Sequence, residues 1–237
     1  MTRRRWIADQ VYSNRAALVG AHAEHLARVL RGQIGQEFDI ATGENVRQGR
    51  ITSVTEERVE FELGEVIPAA ATPNLILLLS IFKFDRMEWA IEKCVELGAA
   101  RVVPVVAQRT ERHLATAAVK RVERWQRIAR QASEQSRRVS PPEISQLMKL
   151  KGAVAMASGT RIVLAESEAQ VRLKDALQTQ TPTSEIALAF GPEGGWTEAE
   201  MKLFRDAGWT TASLGSTILR AETAAIAATA VALAELQ

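Results

Sequence analysis

A strand–helix–strand pattern near the middle of the chain constrains the fold most. The apolar run LILLLSIF, residues 75–82, is too short to span a bilayer and is typical of a buried strand. A helical pattern follows over residues 86–97, with Asp85 in a capping position and Gly98 as the stop, and residues 101–106 form the next strand. Strands joined in this way pair in parallel through a right-handed crossover. The sequence therefore predicts a layered α/β domain with a parallel sheet.

We place this domain at residues 74–237 and a smaller, mostly β module at residues 1–70. The module shows short alternating segments separated by the turn-like sequences ATGEN and TEER. Residues 68–73, rich in alanine and proline, form a plausible linker. The module is predicted to contain strands at 36–40, 49–54 and 58–63 and a helix over 21–32. The larger domain is predicted to contain further strands at 161–164, 185–190 and 210–214, with helices between and after them.

Composition limits the cellular compartments and the classes of protein that fit this chain. The 237 residues carry a formal charge of only +2, so the whole chain is not a polycation. A single cysteine excludes a disulfide framework and indicates a reducing compartment. Cys94 shares a helical face with Met87, Ile91 and Val95, which favours a packed thiol over a nucleophile. The first residues lack the apolar core of a signal peptide, and we expect a soluble cytoplasmic protein with no membrane contact.

Basic residues are concentrated in two regions. Residues 108–151 hold eleven Lys or Arg against four Glu, a net charge of +7. In the first module the basic residues are all arginine, and arginine favours bidentate contacts with phosphates. They include Arg3, Arg4, Arg5, Arg28, Arg31, Arg47 and Arg50. A solvated basic face explains either cluster alone, whereas two clusters on different domains make a nucleic-acid partner an equal alternative.

The loop GPEGG, residues 191–195, follows the predicted strand at 185–190. Thr197 and Glu200 match a capping box, so a helix should begin near Glu198 and stop at Gly208. The glycines imply positive φ angles or a close approach of the backbone to another group. A tight turn is one explanation, and a ligand cradle at the end of a parallel strand is the other.

The chemistry of this loop limits its ligand. It matches neither a Walker A loop nor G-x-G-x-x-G, and it carries no lysine that could reach a phosphate. Glu193 would repel an anion from the helix start. A neutral or cationic ligand fits better, and S-adenosylmethionine, a nucleoside with a sulfonium, has that character.

A second glycine loop lies in LGSTILRAETA, which begins at Leu214. Gly215 permits a turn, and an alanine-rich helix begins near Ala221, with Arg220 and Glu222 at its entrance. An ordinary packing helix that starts with a salt bridge would explain this segment alone. Two glycine loops after two successive strands favour a shared ligand site.

GPEGG and LGSTILRAETA together resemble the C-terminal signature of SPOUT-class RNA methyltransferases. RRRW, EHLARVLR, RMEWAIEKCVELGA and EQSRR extend the resemblance over the whole chain, to the small-subunit ribosomal RNA uridine-N3 methyltransferases of the RsmE type. The resemblance implies an N-terminal PUA-like β-barrel that holds RNA and a SPOUT domain with a C-terminal trefoil knot. It also implies bound S-adenosylmethionine, a homodimer, a substrate in small-subunit ribosomal RNA or the assembled subunit, and no metal.

The resemblance also assigns roles to residues. Arg220 would stabilise the uracil anion, and Glu222 would orient Arg220 or help to remove the proton from N3. The expected cofactor-binding residues are Glu166, Gly191, Pro192, Glu193, Gly194, Gly195, Leu214, Gly215, Ile218 and Leu219. The expected RNA-binding residues are Arg3, Arg4, Arg5, Arg28, Arg31, Arg86 and Arg138.

Three positions depart from the family pattern. Thr217 replaces a usual arginine, Ala165 stands where histidine is frequent, and Arg137 stands where glycine is frequent. Two alternatives therefore stay open. One is a SPOUT enzyme that methylates a ribose 2′-hydroxyl, and the other is a non-catalytic RNA-binding factor of ribosome assembly.

Overall fold

The computed structural model describes residues 5–68, 74–179 and 185–235. Arg3, Arg4 and most of the expected linker lie outside these ranges. Contacts divide the chain into two compact units, which are described separately below. The first comprises Met1–Ala71 and Ser133–Pro141, and the second comprises Thr72–Ala132 and Pro142–Gln237.

The first unit is built on a six-stranded sheet with the order β1-β4-β5-β6-β3-β2. All pairs are antiparallel except β1 with β4. Its strands are β1 (Arg5–Ile7), β2 (Gln10–Tyr12), β3 (Arg15–Val19), β4 (Glu37–Ala41), β5 (Val46–Val54) and β6 (Arg58–Ile67). Helix α1 runs over Ala21–Glu24 and continues as a π-helical turn over His25–Val29.

The core of this unit follows from the alternation along its strands. Phe38 and Ile40 of β4 face Phe61 of β6 and Leu26 of α1, and all four are almost fully buried. Gly49 of β5 allows this packing, because a Cβ there would come within 2.3 Å of the Ile40 side chain. The predicted strands β4, β5 and β6 are confirmed. The sequence missed β1 to β3, since β1 and β2 have only three residues each and β3 buries Ala16, Ala17 and Leu18 in succession, so none of them shows an alternating pattern.

The segment Ser133–Pro141 packs in the first unit, although it follows the predicted boundary at residue 70 by more than sixty positions. The Arg5 guanidinium donates a hydrogen bond to the Arg137 carbonyl, and Val139 packs beside Ile7. His22 lies 3.3 Å from a carboxylate oxygen of Glu134. These contacts join residues far apart in the chain, so no local pattern indicates them.

The second unit contains a seven-stranded sheet in which every pair is parallel. Its order is β10-β8-β7-β12-β11-β13, with β9 also paired to β8. The strands are β7 (Asn74–Ser80), β8 (Arg101–Val106), β9 (Glu143–Ile144), β10 (Met148–Lys149), β11 (Thr160–Leu164), β12 (Glu185–Phe190) and β13 (Thr210–Ala212). The helices are α2 (Phe84–Leu97), α3 (Arg112–Ala118), α4 (Val122–Gln135), α5 (Leu150–Met156), α6 (Leu173–Thr179), α7 (Glu198–Asp206) and α8 (Ala221–Glu235).

Helices cover both faces of this sheet, which explains why β7 is apolar throughout. Leu75, Leu77 and Leu79 pack on the side that carries α2, α4, α6 and α8. Ile76 and Leu78 pack on the opposite side, with α5 and α7. The predicted layered α/β arrangement and its parallel pairing are confirmed, and the structure shows that helices form a layer on each face of the sheet.

Two details of the predicted helices are tested by the structure. Helix α2 begins at Phe84 after Lys83, and no side chain caps it, so the expected capping role of Asp85 is wrong. Gly98 does end α2, with a φ of 126°. The face predicted for the basic helix is confirmed: Ala118, Val122, Trp125, Ala129 and Ala132 are all buried. None of the helices in the described ranges combines the length and apolarity needed to cross a bilayer.

Cys94 provides a test of the core between α2 and α8. It is fully buried, Thr229 of α8 donates a 3.4 Å hydrogen bond to its sulfur, and burial raises the pKa of the Cys94 thiol to about 12. A raised pKa favours the neutral thiol, so at pH 8 the thiolate fraction should be about 1,000-fold below that of an exposed cysteine. At pH 8 we expect a thiol reagent to modify Cys94 in the native protein only as fast as the core between α2 and α8 opens. The denatured protein should react immediately. Equal labelling rates in the two states would contradict this packing.

Candidate active site

A cavity of about 530 Å³ lies at the carboxyl ends of β11, β12 and β13, beside the first turns of α2 and α8. Parallel strands bring the loops that follow them to one edge of the sheet, and that edge is where open α/β sheets bind ligands. The loops after β11 and β12 converge, since a Cβ on Gly195 would lie only 3.8 Å from an oxygen of Glu166. The cavity therefore has walls from segments distant in sequence.

Most of the expected cofactor residues line this cavity. Those that do are Glu166, Gly191, Pro192, Glu193, Gly195, Leu214, Gly215, Ile218 and Leu219, and the expected catalytic residue Arg220 joins them. Gly194 and Glu222 are not part of the lining. Lys83, Arg109, Ser167 and Trp196 also line the cavity, and sequence reasoning missed their place there.

The backbone conformation requires glycine at position 195 of the loop at 191–195. Gly195 has a φ of 70°, and its amide donates a 2.8 Å hydrogen bond to the carbonyl of Pro192, which closes a turn. Gly191 lies under the ring of Trp196, which a Cβ would approach to 3.4 Å. Trp196 is fixed in turn, because its indole nitrogen donates a 3.0 Å hydrogen bond to the Leu164 carbonyl. The loop is thus a closed turn with its backbone facing the cavity.

Two arginines from other segments hold this loop from outside. Arg86 of α2 donates a 3.0 Å hydrogen bond from Nη1 to Oε1 of Glu193. Arg109, which follows β8, donates a 2.6 Å hydrogen bond from Nη1 to the Gly194 carbonyl, and its side chain would meet a Cβ on Gly194 at 3.4 Å. Gly194 therefore backs onto Arg109 rather than facing the cavity. The second contact spans 85 positions and left no signal in the sequence.

The capping box at the start of α7 is present as predicted. Glu200 is buried and accepts hydrogen bonds from the backbone amide of Thr197 at 2.9 Å and from that of Gln108 at 2.6 Å. Its carboxylate thus joins the glycine loop to the segment that carries Arg109. The predicted helix start at Glu198 is confirmed, and the chain leaves the helix at Gly208 with a φ of 73°.

The second glycine loop crosses the far side of the cavity. Gly215 has a φ of 150°, and a Cβ there would approach the Arg172 guanidinium to 3.1 Å. Ile218 extends into solvent at the cavity with 79% of its surface exposed. Thr217, which replaces the arginine usual in the family pattern, also lines the cavity.

Arg220 and Glu222 differ in their surroundings. Arg220 is exposed, and in the described ranges it forms no ion pair. Glu222 is buried in the first turn of α8, where its Oε1 lies 3.7 Å from Nε of Arg86. Its Oε2 has no hydrogen-bond partner among the described residues. The salt bridge between Arg220 and Glu222, offered above as one explanation of this segment, is therefore absent among the described residues. Arg86 is the cation beside Glu222.

The comparisons with known proteins agree with this geometry. A family model described as an RNA methyltransferase domain matches residues 70–233. The ribosomal RNA small subunit methyltransferase E of a Synechocystis strain is 30% identical, over 91% of this chain and 72% of the relative. Its counterpart from Bacillus subtilis is 29% identical, over 88% and 85% of the two chains. This chain belongs to the ribosomal RNA small subunit methyltransferase E family.

A crystal structure from this family extends the agreement to three dimensions. The Neisseria gonorrhoeae methyltransferase E, bound to S-adenosylmethionine, superposes with a TM-score of 0.84 at 30% identity. The alignment covers 97% of this chain and 96% of the other. The family resemblance inferred from the sequence motifs is confirmed. Within residues 5–68, 74–179 and 185–235, no group of three or more acidic, histidine or cysteine side chains is placed to hold a metal ion.

The arginines expected to bind RNA fall into two groups in this family member. Arg5 and Arg138 are largely enclosed in the first unit: the Arg5 side chain is 15% exposed and lies 3.9 Å from Asp39, and burial lowers the pKa of Arg138. Arg28 is exposed, although Glu24 pairs with it at 3.0 Å and Glu56 at 3.6 Å, and Arg31 is exposed with a φ of 52°. Arg3 and Arg4 lie outside the described residues. The enclosed pair has a clear packing role.

Arg137 adopts the backbone conformation that its position requires. Its φ is 60°, in the left-handed region that favours glycine. This explains why glycine is frequent at this position of the family pattern and why arginine is tolerated at some cost in strain.

Glu200 should contribute more to the free energy of unfolding than Thr197, its partner in the capping box. Glu200→Ala would leave the amides of Thr197 and Gln108 without their acceptor, and we expect it to lower the free energy of unfolding by about 2–4 kcal/mol. Thr197→Ala removes one cap and should cost about 1 kcal/mol. Glu198→Ala, at an exposed position in the same turn, is the matched control and should change little. Denaturant titration of the three variants measures the difference, and equal costs for Glu200→Ala and Thr197→Ala would contradict the bridging role.

Proposed function

We propose that this protein transfers the methyl group of S-adenosylmethionine to N3 of a uridine in small-subunit ribosomal RNA. The observation that carries the proposal is the glycine-lined cavity at the ends of β11 to β13, in a chain of the methyltransferase E family. The bound S-adenosylmethionine of the Neisseria gonorrhoeae relative supports the same cofactor here.

The cavity suits this cofactor in size and in chemistry. Its volume of about 530 Å³ lies within the range of small-molecule sites. The backbone at Gly195 faces open space on the Cβ side apart from Glu166, so a nucleoside can approach it closely. Glu166 and Glu193 offer carboxylates to the cationic portions of the molecule. When bound, the cofactor supplies a methyl group activated by the positive sulfur.

Uridine N3 carries a proton, so the protein must orient the base and favour its anion before methyl transfer. Alignment of N3 with the methyl group supplies a large part of the rate. Arg220 is exposed at the cavity and, in the described ranges, is not committed to a carboxylate. It is free to donate to the uracil oxygens, where negative charge develops. The target base must be unpaired or extruded, since N3 is hidden in a base pair.

Glu222 is the proposed acceptor of the N3 proton. A buried carboxylate oxygen without a partner is costly unless a donor reaches it during function. Oε2 of Glu222 is such an oxygen among the described residues, and it lies two positions from Arg220. Glu222 does not line the cavity in this conformation, so contact with the base requires a local adjustment at the start of α8.

The resemblance supports three further parts of the proposal. The first unit is PUA-like and holds RNA, and the second contains a trefoil knot at its C-terminal end. The exposed Arg28 and Arg31 and the basic helices α3 and α4 provide phosphate contacts, so RNA affinity should fall steeply with salt. The enzyme acts as a homodimer, as exposed apolar residues such as Trp89 and Ile218 suggest, and light scattering of active enzyme measures this.

The nature of the methylated nucleoside tests the function directly. The enzyme is incubated with S-adenosylmethionine and either protein-free small-subunit RNA or assembled subunits that lack the modification. Mass spectrometry of the nucleosides should then show 3-methyluridine on at least one substrate, and none without enzyme. A ribose-methylated nucleoside would replace this proposal with the 2′-hydroxyl alternative. No product on either substrate would favour the non-catalytic alternative.

Arg220 should act on the chemical step. Arg220→Ala should lower the single-turnover rate by roughly 10²-fold, the effect typical of removing a donor that stabilises an oxyanion. Cofactor affinity should change much less, and higher pH should partly restore the rate because more of the uridine is then deprotonated. Arg205→Ala, which removes an exposed arginine at the end of α7, is the control. Rates within about threefold of wild type at every pH would remove Arg220 from the chemistry.

A further inference from the structure

Arg86 lies where three elements of the cavity meet. It occupies the first turn of α2, and its side chain is 30% exposed. Nη1 lies 3.0 Å from Oε1 of Glu193 in the glycine loop, and Nε lies 3.7 Å from Oε1 of Glu222 at the start of α8. One guanidinium therefore contacts a carboxylate in each of two segments, and the contact with Glu193 spans 107 positions.

Glu222 depends on this contact more than Glu193 does. The Glu222 side chain is 5% exposed, whereas that of Glu193 is 32% exposed. A buried carboxylate needs a compensating charge or hydrogen bonds. Arg86 is the cation paired with Glu222 within the described ranges, and the amides at the start of α8 add a favourable dipole. Loss of Arg86 would leave Glu222 enclosed without a counter-charge.

The pairing is also asymmetric in a way that suits proton transfer. Arg86 approaches Oε1 of Glu222, while Oε2 has no partner among the described residues. A guanidinium that bound both oxygens would occupy the acceptor that a proton needs. Contact through one oxygen holds the carboxylate in place and leaves the second oxygen available.

We propose that Arg86 is a positioning residue that holds Glu222 for proton acceptance and fixes the glycine loop through Glu193. It thereby joins the cofactor-binding loop to the carboxylate that serves the chemistry. This inference rests on the proposed function for its catalytic half. It replaces the expected RNA contact of Arg86, because Nη1 and Nε of this partly buried guanidinium already face Glu193 and Glu222.

A double-mutant cycle tests the link between Arg86 and Glu222. Single-turnover methylation is measured with saturating cofactor and RNA for Arg86→Ala, Glu222→Gln and the double variant. Arg86→Ala should lower the rate at least tenfold in the wild-type background but less than threefold in the Glu222→Gln background. Arg86→Lys should fall between, since an ammonium keeps the charge but not the two-directional geometry. RNA affinity, measured by filter binding, should be unchanged in all of them.

Arg101→Ala is the matched control. The Arg101 side chain is 31% exposed and pairs with Glu143 at 2.9 Å, so it resembles Arg86 in burial and pairing. It lies at the amino end of β8, away from the strand ends that form the cavity. It should leave the methylation rate within about twofold of wild type. Thermal unfolding of each variant identifies any that fold poorly, in which case Arg86→Lys carries the test.

The link between Arg86 and Glu193 has a readout that does not need catalysis. Amide hydrogen exchange of a peptide covering residues 191–196, measured without cofactor, should accelerate at least fivefold in Arg86→Ala and in Glu193→Gln, with no further increase in the double variant. The calorimetric Kd for S-adenosylmethionine should rise in parallel. Arg101→Ala should leave both unchanged.

The outcomes separate this inference from the proposed function. If wild-type enzyme yields no 3-methyluridine, the proposed function fails, while the exchange experiment still decides whether Arg86 fixes the loop. If the product forms, but Arg86→Ala lowers the rate equally in both backgrounds, Arg86 does not act through Glu222. A weakened RNA Kd with an unchanged saturated rate would make Arg86 an RNA contact. Either of the last two results overturns the inference.

Discussion

The parallel pairing of β12 between β7 and β11 is the constraint on which the site depends. Because β11, β12 and β13 all run in the same direction, the loops after Leu164, Phe190 and Ala212 must emerge at one edge of the sheet. The apolar side chains of β7 and β12, buried on both faces, keep this edge rigid. Gly195 and Gly215, both with positive φ, then let the loops turn back over the strand ends instead of extending into solvent. The cavity is a consequence of this topology, and its chemistry comes from the few side chains that the loops and the starts of α2 and α8 bring to it.

Charge within this cavity is balanced by contacts between distant segments. Glu193 comes from the glycine loop, Glu222 from α8 and Arg86 from α2, so the ion pairs form only when these three segments come together. Arg109 is held by a backbone carbonyl, which leaves its charge uncompensated but its position fixed. Lys83 and Arg220 line the cavity and, in the described ranges, have no carboxylate partner. The arrangement provides carboxylates for a cationic cofactor and, separately, cations for a base that becomes negative.

Local rules in the sequence predicted the parts of the fold that are local. The capping box of Thr197 and Glu200 and the stop at Gly98 follow from residues within one helical turn, and the buried face around Trp125 follows from helical spacing over about four turns. The convergence of Glu166 and Gly195 requires that their strands be parallel, which was predicted, and also adjacent, which only the structure shows. The contacts of Arg109 with Gly194 and of Arg5 with Arg137 were not, because they join residues 85 and 132 positions apart and depend on the finished fold. At Asp85 a local pattern was present but gave a wrong prediction. Asp85 was expected to cap α2, whereas the helix already begins at Phe84, whose ring packs against Trp125.

Arginine serves three physical roles in this chain, and sequence position does not separate them. Arg5 is enclosed and joins the first sheet to the segment 133–141 by donating to the Arg137 carbonyl, and the partly buried Arg138 donates to the Ser140 carbonyl within that segment. Arg86 is half-buried between two carboxylates, whereas Arg28 is exposed and pairs with Glu24 and Glu56 at the surface, where water screens both ion pairs. The third group has the solvent access that phosphate binding requires, and its exposed ion pairs are weak enough to be exchanged. A basic motif such as RRRW or EQSRR therefore indicates only where arginine is frequent. Burial and the distance to the nearest acceptor decide whether a given arginine stabilises the fold, positions a reacting group or is available to bind RNA.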